Sequence, residues 1–200
     1  MLKRTFDVLL SGAGLAISAP LWILIGVAIT LEDGGAVLFP QDRVGRGGAT
    51  FRALKFRSMT PDASKLPPRQ ADEHDPRITR VGRLLRATAM DELPQLFNIF
   101  RGDMSFVGPR PLLPGEIEVR GSGELVPLDA IPGYVARHSV RPGLTGLSQV
   151  YASRDTPRAR KFRLDAIYVR NASFCLDMFL VAVSFWITVR GRWEVRARKL

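Results

Sequence analysis

The chain has 200 residues, 46% of them hydrophobic, enough for one compact domain or a small domain with a membrane anchor but not for two full domains. Lys and Arg number 29 against 19 Asp and Glu, a formal charge of +10 that favours anionic partners: nucleic acid, anionic lipid or phosphorylated small molecules. A single cysteine, Cys175, excludes an intramolecular disulfide, and two histidines, His74 and His138, exclude a three-histidine zinc site, so any catalytic metal is expected to be a hard ion on oxygen ligands, magnesium foremost.

Taken in chain order, the first element is "VLLSGAGLAISAPLWILIGVAITL", Val8 to Leu31, which carries no charge and meets the length and polarity criteria for a membrane helix. It is long for a signal peptide core, and no cleavage motif follows. Lys3 and Arg4 favour a cytoplasmic N-terminus, yet the basic remainder favours the same side. Pro20 removes a helical hydrogen bond mid-segment, so a bent helix that enters and leaves through one face resolves the conflict; the residues alone leave bent and spanning forms open. Next, "AVLFPQDRVGRGGATFRALKFRSM" reads as a β-hairpin around "VGRGG", whose Gly45, Gly47 and Gly48 lack dinucleotide-binding spacing. Pro61 to Asp75 is expected to be a surface loop, and Leu112 to Gly133, rich in Gly and Pro, a long irregular connection. Finally "FCLDMFLVAVSFWITV", Phe174 to Val189, reaches about 24 Å as a helix and contains Asp177. That is short for a span and suits the membrane interface, with Trp193 and the arginines of "RGRWEVRARKL" on headgroups; a buried core helix with a solvated tail is the alternative.

The residues that carry chemistry lie between these runs. In "RATAMDELPQLFNIF" a helix is expected to start at Met90 or Asp91 with Pro94 in its first turn, placing Asp91 and Glu92 at a positive helix end. Taken alone, they are better accounted for by ordinary capping. Downstream, "RGDMSFVGPRP" brackets Arg110 between Pro109 and Pro111, a stiff setting for a guanidinium that clamps phosphate, or a solvated turn. "SVRPGLTGLSQV" repeats the style at Arg141, and eight Lys or Arg fall between positions 137 and 170, many of which a solvated or lipid-facing surface explains.

The run "MDELPQLFNIFRGDMSFVGPRPLLP", with "KFRSM" upstream and "VRPGLTGLSQV" and "KFRLDAIYVRNASFCLD" downstream, closely resembles the bacterial monotopic phosphoglycosyl transferases, also called bacterial sugar transferases or undecaprenyl-phosphate sugar phosphotransferases, in a minimal catalytic form. The resemblance implies an α+β, mainly helical monotopic membrane protein. Residues 1–33 would form a reentrant membrane helix broken near Pro20. Residues 34–200 would form a catalytic domain on the cytoplasmic face of the bacterial inner membrane, with a small β-hairpin and amphipathic interfacial helices, the last at about 174–189. It implies transfer of a sugar phosphate from a nucleotide diphosphate sugar, typically a UDP-sugar, to a polyprenol phosphate, with release of the nucleoside monophosphate. Anionic lipid is then a partner and nucleic acid is not; a homo-oligomer is compatible with the sequence. By the same resemblance Asp91 is the nucleophile and a Mg2+ ligand, Glu92 assists, and Arg110 with Pro109 and Pro111 lies at the phosphate site. Lys55, Arg86, Arg141, Asp165 and Tyr168 match positions in or near the cleft.

An aspartate of ordinary pKa near 4 is ionised at neutral pH and needs no base to act as a nucleophile. Its obstacle is repulsion from the diphosphate, about 4 kcal/mol per charge pair at 4 Å and an effective dielectric near 20, which cations must offset. The sequence departs from the family pattern at Leu147, where tryptophan is common. It departs again at "QVYASRD", where Ser153 or Arg154 aligns with a family arginine, and in lacking an acidic residue shortly before "RPG".

Overall fold

An uncharged run satisfies its backbone away from water only by hydrogen bonding within itself, and it does so as one helix, α1 (Leu2–Asp33), in the computed structural model, which describes residues 1–62, 75–121, 123–153 and 155–190. The helix continues through Pro20, whose missing N–H leaves the Ala16 carbonyl without its usual donor, and it closes on a left-handed Gly34. Its middle presents exposed apolar side chains, with Ile17 81% and Ile23 69% accessible. Its two ends are polar and tied down. Arg4 donates to the carbonyls of Ile99 and Phe100, and buried Asp7 accepts from Ser105 Oγ and the Phe106 N–H. At the far end Glu32 accepts from the N–H groups of Arg80 and Val81, and Asp33 pairs with Arg57.

The hairpin expected around "VGRGG" forms from β1 (Leu38–Val44) and β2 (Thr50–Phe56), antiparallel from Leu38↔Phe56 to Val44↔Thr50, with a short 3-10 turn at Arg46–Gly48. Then come α2 (Arg80–Ala87), α3 (Gln95–Arg101) and β3 (Ser105–Val107), which pairs in parallel with β6 (Gly143–Thr145). Leu112 to Gly133 is more ordered than its composition suggests. It holds a second hairpin, β4 (Ile117–Val119) with β5 (Leu125–Pro127), and a 3-10 turn at Leu128–Ala130. Three-residue strands are too short for alternation to register, and Pro127 is tolerated because a two-stranded ribbon has only edges. The turn residue Gly123 takes φ +80. The chain ends in α4 (Tyr134–Arg137), α5 (Leu147–Tyr151), α6 (Arg158–Asn171) and α7 (Phe174–Val189).

The architecture is thus mainly helical, with three two-stranded sheets among the described residues. One apolar cluster of Val107, Val150, Tyr168, Leu180 and Ile187 binds β3, α5, α6 and α7; another, Ile25, Ile29, Phe56 and Leu85, binds the end of α1 to β2 and α2. α7 occupies the span expected for the C-terminal helix, capped by Ser173, with Phe179, Phe185, Trp186 and Val189 exposed. Of the expected Pro61–Asp75 loop, residues 63–74 lie outside the described residues, as do His74, Arg154 and the 191–200 tail with Trp193.

Candidate active site

The acidic pair sits where two helices cannot merge. α2 starts at Thr79, whose Oγ1 accepts from the Gly82 N–H, and Gly82 lies so close to the Ser58 backbone that an added Cβ would stand 2.1 Å from the Ser58 carbonyl oxygen. After α2 the chain reverses through Ala89 in the left-handed region (φ 55), an uncommon place for a residue with a Cβ. Met90–Glu92 then form a single 3-10 turn, and α3 begins only after Pro94. The expected helix start at Met90 or Asp91 is therefore displaced. Pro94 has no N–H to offer the Met90 carbonyl, which accepts from Leu93 instead, so the dyad stays in a separate turn ahead of the helix.

α3 is locked onto the hairpin by Asn98, which is fully buried. Its Nδ2 donates to the Arg52 carbonyl (2.7 Å), and its Oδ1 accepts from the Leu54 N–H (2.9 Å). Strand alternation then turns Ala53 and Lys55 toward the dyad. Lys55 Nζ donates to Glu92 Oε1 at 2.7 Å, and Arg110 Nη2 reaches the same oxygen at 2.9 Å. These three, with Arg43, Ala53, Gln95, Pro111, Gly143 and Leu144, line a narrow cleft.

The two carboxylates differ in electrostatic state. Burial alone would raise the Glu92 carboxyl, but the Arg110 and Lys55 charges and their hydrogen bonds outweigh it and hold the group well below the usual carboxylate range. The Asp91 carboxylate makes no hydrogen bond or ion pair among the described residues. Burial pushes its carboxyl up to about 6, with Glu92 adding to the rise and Lys55, Arg86 and Arg110 opposing it. The ordinary pKa expected for Asp91 is thus corrected upward, because burial outweighs the nearby cations that lower it. At neutral pH it remains a carboxylate, and a more basic one than a solvated aspartate.

Of the other residues singled out in the sequence, Pro109 and Pro111 flank Arg110 in the loop after β3, and Arg86, in the last turn of α2, acts on Asp91 through its charge. Three make their side-chain contacts away from the dyad. Arg141 Nε donates to the Gly102 carbonyl, beyond the end of α3 remote from the dyad. Asp165 is 2% exposed and paired with Arg137 at 2.9 Å. Tyr168 donates to Asp177 Oδ1 at 2.7 Å beside Lys3, whose Nζ meets Asp177 Oδ2 at 2.6 Å, so Tyr168 anchors the start of α1. Burial, then the Asp177 hydrogen bond and charge, push its phenol well above the usual range. Sequence reading passed over Arg43, Gln95, Asn98 and Arg137. The signal available was a polar side chain inside an apolar run, as Gln95 and Asn98 are in "LPQLFNIF".

No group of three or more carboxylate, histidine or cysteine side chains able to hold a metal occurs among the described residues. The donor set nevertheless fits magnesium, which commonly takes one or two carboxylates and completes its shell with water and substrate phosphate. Asp91 is the uncommitted carboxylate suited to it.

Fold and site together define a membrane-associated domain whose acidic pair is embedded among cations, a setting for anionic phosphorus groups. The family model described as bacterial sugar transferase matches residues 1–191, and the chain belongs to that family. It is 44% identical over 185 residues to the undecaprenyl-phosphate glucose phosphotransferase of Komagataeibacter xylinus, covering 90% of this chain and 34% of that protein. It is 40% identical over 187 residues to the exopolysaccharide production protein PSS of Rhizobium leguminosarum bv. phaseoli, covering 90% and 92%. It is 36% identical over 204 residues to the undecaprenyl-phosphate galactose phosphotransferase of Salmonella typhimurium, covering 94% and 40%. The chain therefore spans about a third of the first relative's length and nearly all of PSS.

Proposed function

We propose that this protein transfers a sugar 1-phosphate from a nucleotide diphosphate sugar, in particular a UDP-sugar, to a polyprenol phosphate, with undecaprenyl phosphate as the acceptor, in exopolysaccharide or related glycoconjugate assembly. The observation that carries the reading is the division of the dyad: Glu92 is held by Lys55 and Arg110, while Asp91 is ionised at neutral pH and unclaimed. The names of the Komagataeibacter and Salmonella relatives supply the acceptor and the phosphotransferase class.

In this mechanism Arg110 and Lys55 take the diphosphate oxygens and offset the like-charge repulsion that an approaching carboxylate meets. An Asp91 oxygen attacks the phosphorus that bears the sugar; the bond to the bridging oxygen breaks, and the nucleoside monophosphate leaves with that electron pair. The polyprenol phosphate then attacks the same phosphorus and displaces Asp91, restoring the carboxylate and yielding a polyprenol diphosphate sugar. Magnesium, when bound through Asp91, supplies charge neutralisation at the diphosphate.

The arrangement of α1 supports catalysis from one membrane face. A 32-residue helix is about 48 Å long, so a perpendicular span would place its ends on opposite sides of the bilayer. Here Lys3 and Arg4 at one end, and Glu32 and Asp33 at the other, are tied to the same polar domain. That arrangement suits a reentrant, monotopic segment turning near Pro20, with the site on the cytoplasmic face and the exposed side chains of α7 in the interface.

The test is nucleoside monophosphate release from a panel of UDP-sugars, with and without undecaprenyl phosphate and magnesium. Asp91→Asn is expected to abolish turnover and labelling by sugar-phosphate-labelled donor while sedimentation with membranes is kept. Full activity in that variant overturns the assignment, and water replacing the lipid as acceptor indicates a phosphatase.

A further inference from the structure

The loop that presents Arg110 cannot hold itself in a sheet, because Pro109 and Pro111 lack N–H groups and only Arg110 between them can donate. Its three successive carbonyls are nevertheless all taken, each by a different part of the chain. The Gly143 N–H donates to the Pro109 carbonyl at 3.0 Å, Arg137 Nη2 donates to the Arg110 carbonyl, and Arg43 Nη1 donates to the Pro111 carbonyl at 3.1 Å.

A backbone N–H or a neutral amide would satisfy a carbonyl with far less desolvation than a guanidinium requires. Arg137 is only 2% exposed, and each edge of it is used. Nε donates to Asp165 Oδ2 at 2.9 Å, Nη1 lies 3.2 Å from His138 Nε2, and the Phe162 ring centroid lies 4.8 Å from its central carbon. Arg43 is held by Gln41, whose Oε1 accepts from its second Nη at 2.5 Å. Two rigidly seated arginines therefore grip adjacent carbonyls of the residue triplet whose middle side chain reaches out to Glu92.

We propose that Arg43 and Arg137, the latter seated by Asp165, are positioning residues that clamp the Pro109–Pro111 backbone and so fix the direction in which the Arg110 guanidinium meets the donor diphosphate. The inference rests on the reading of Arg110 as the phosphate-binding group. It gives Asp165, which lies away from the dyad, a route of action: carboxylate to guanidinium, guanidinium to loop carbonyl, loop to phosphate.

The test is a coupling measurement on the full chain in membrane vesicles. Arg43→Gln and Arg137→Gln are each made in the wild-type and in the Arg110→Ala background. Two quantities are read: kcat/KM for nucleoside monophosphate release, and the affinity for a fluorescent UDP-sugar, which needs no turnover. Each clamp variant is expected to lower both at least tenfold when Arg110 is present and less than twofold when it is absent. Arg43→Lys, which keeps one donor and the charge, is expected to recover most of the loss. Equal losses in both backgrounds overturn the clamp, since a general structural defect does not depend on Arg110. If Arg137→Gln fails to fold, as judged by its melting, Arg43→Gln alone decides between these outcomes. A wild-type chain that neither binds nor turns over any UDP-sugar overturns the proposed function together with the clamp, whereas an active wild type with equal losses overturns the clamp alone.

Discussion

Replacing Glu92 by Gln separates two roles that a carboxylate beside the proposed nucleophile can play. Glu92 Oε1 accepts from Lys55 at 2.7 Å and from Arg110 at 2.9 Å, and these cations hold its carboxyl well below the usual range. A carboxylate so stabilised is a weak base, poorly matched to removing a proton from an acceptor phosphate near neutral pH. Its geometry instead suits orienting the two cations that receive the donor. Hydrogen bonds to charged groups contribute about 1.5–3 kcal/mol each; Glu92→Gln keeps one acceptor oxygen, and Arg110 is half-exposed and partly screened, so a net loss of about 3 kcal/mol is expected, somewhat over a hundredfold in rate. The assay is a rapid-quench measurement of nucleoside monophosphate released by enzyme and UDP-sugar without lipid acceptor, followed by addition of undecaprenyl phosphate. The first burst should slow by that factor. A burst of normal rate followed by a dead second step would refute the argument and make Glu92 the base for the acceptor.

Three further outcomes test the surroundings. His138 is held down to about 4, by burial first and then by the Arg137 charge, while Tyr134 meets its ring edge-on. The unfolded chain therefore binds the extra proton between pH 6.5 and about 4, and stability falls as pH drops through that window, by on the order of 3 kcal/mol at its end. His138→Gln should flatten that part of the melting-temperature profile, and an unchanged slope would show that another group titrates there. Lys3→Met leaves Asp177, whose side chain is 4% exposed, with Tyr168 as its remaining partner; because Lys3 is 41% exposed, the cost is discounted to about 2 kcal/mol, and the melt should fall by roughly 4–8 °C. Gly108→Ala places a Cβ 2.4 Å from the Arg141 carbonyl oxygen and 2.9 Å from the Gly143 nitrogen, so the β3–β6 pairing must open. The expected loss is about 2 kcal/mol or more, read by chemical denaturation, with activity falling further because the Arg110 loop follows directly.

What could be read in advance divides along a physical line. The membrane helix, the first hairpin and the terminal helix are each specified by a local pattern: an uncharged run, two apolar stretches around "VGRGG", and an apolar block ending before "RGR". The acidic dyad and "PRP" stand out by residue type, but capping and a solvated turn explain them as well until the family resemblance is added. The contacts that decide their behaviour join distant parts of the chain. Lys55 and Glu92 meet only because Asn98, buried in α3, hydrogen-bonds the backbone of β2 on both sides. Tyr168 matched a position near the cleft, yet the fold commits it to Lys3 and Asp177 at the foot of α1.

The same line explains why a net charge of +10 says less than the placement of its members. Lys55 and Arg110 neutralise Glu92, Arg137 neutralises Asp165, and Arg57 neutralises Asp33, so several of the basic residues, two of them in the cleft, are paired inside the protein. Asp91 is left as a carboxylate within the field of Lys55, Arg86 and Arg110 but bonded to none of them. A carboxylate that meets cations at a distance is less stabilised, and so more basic, than one that hydrogen-bonds them. The second carboxylate of the pair thus serves the first by occupying the nearest cations. On the proposed mechanism, that gives the second acid a role although only Asp91 would bond to phosphorus.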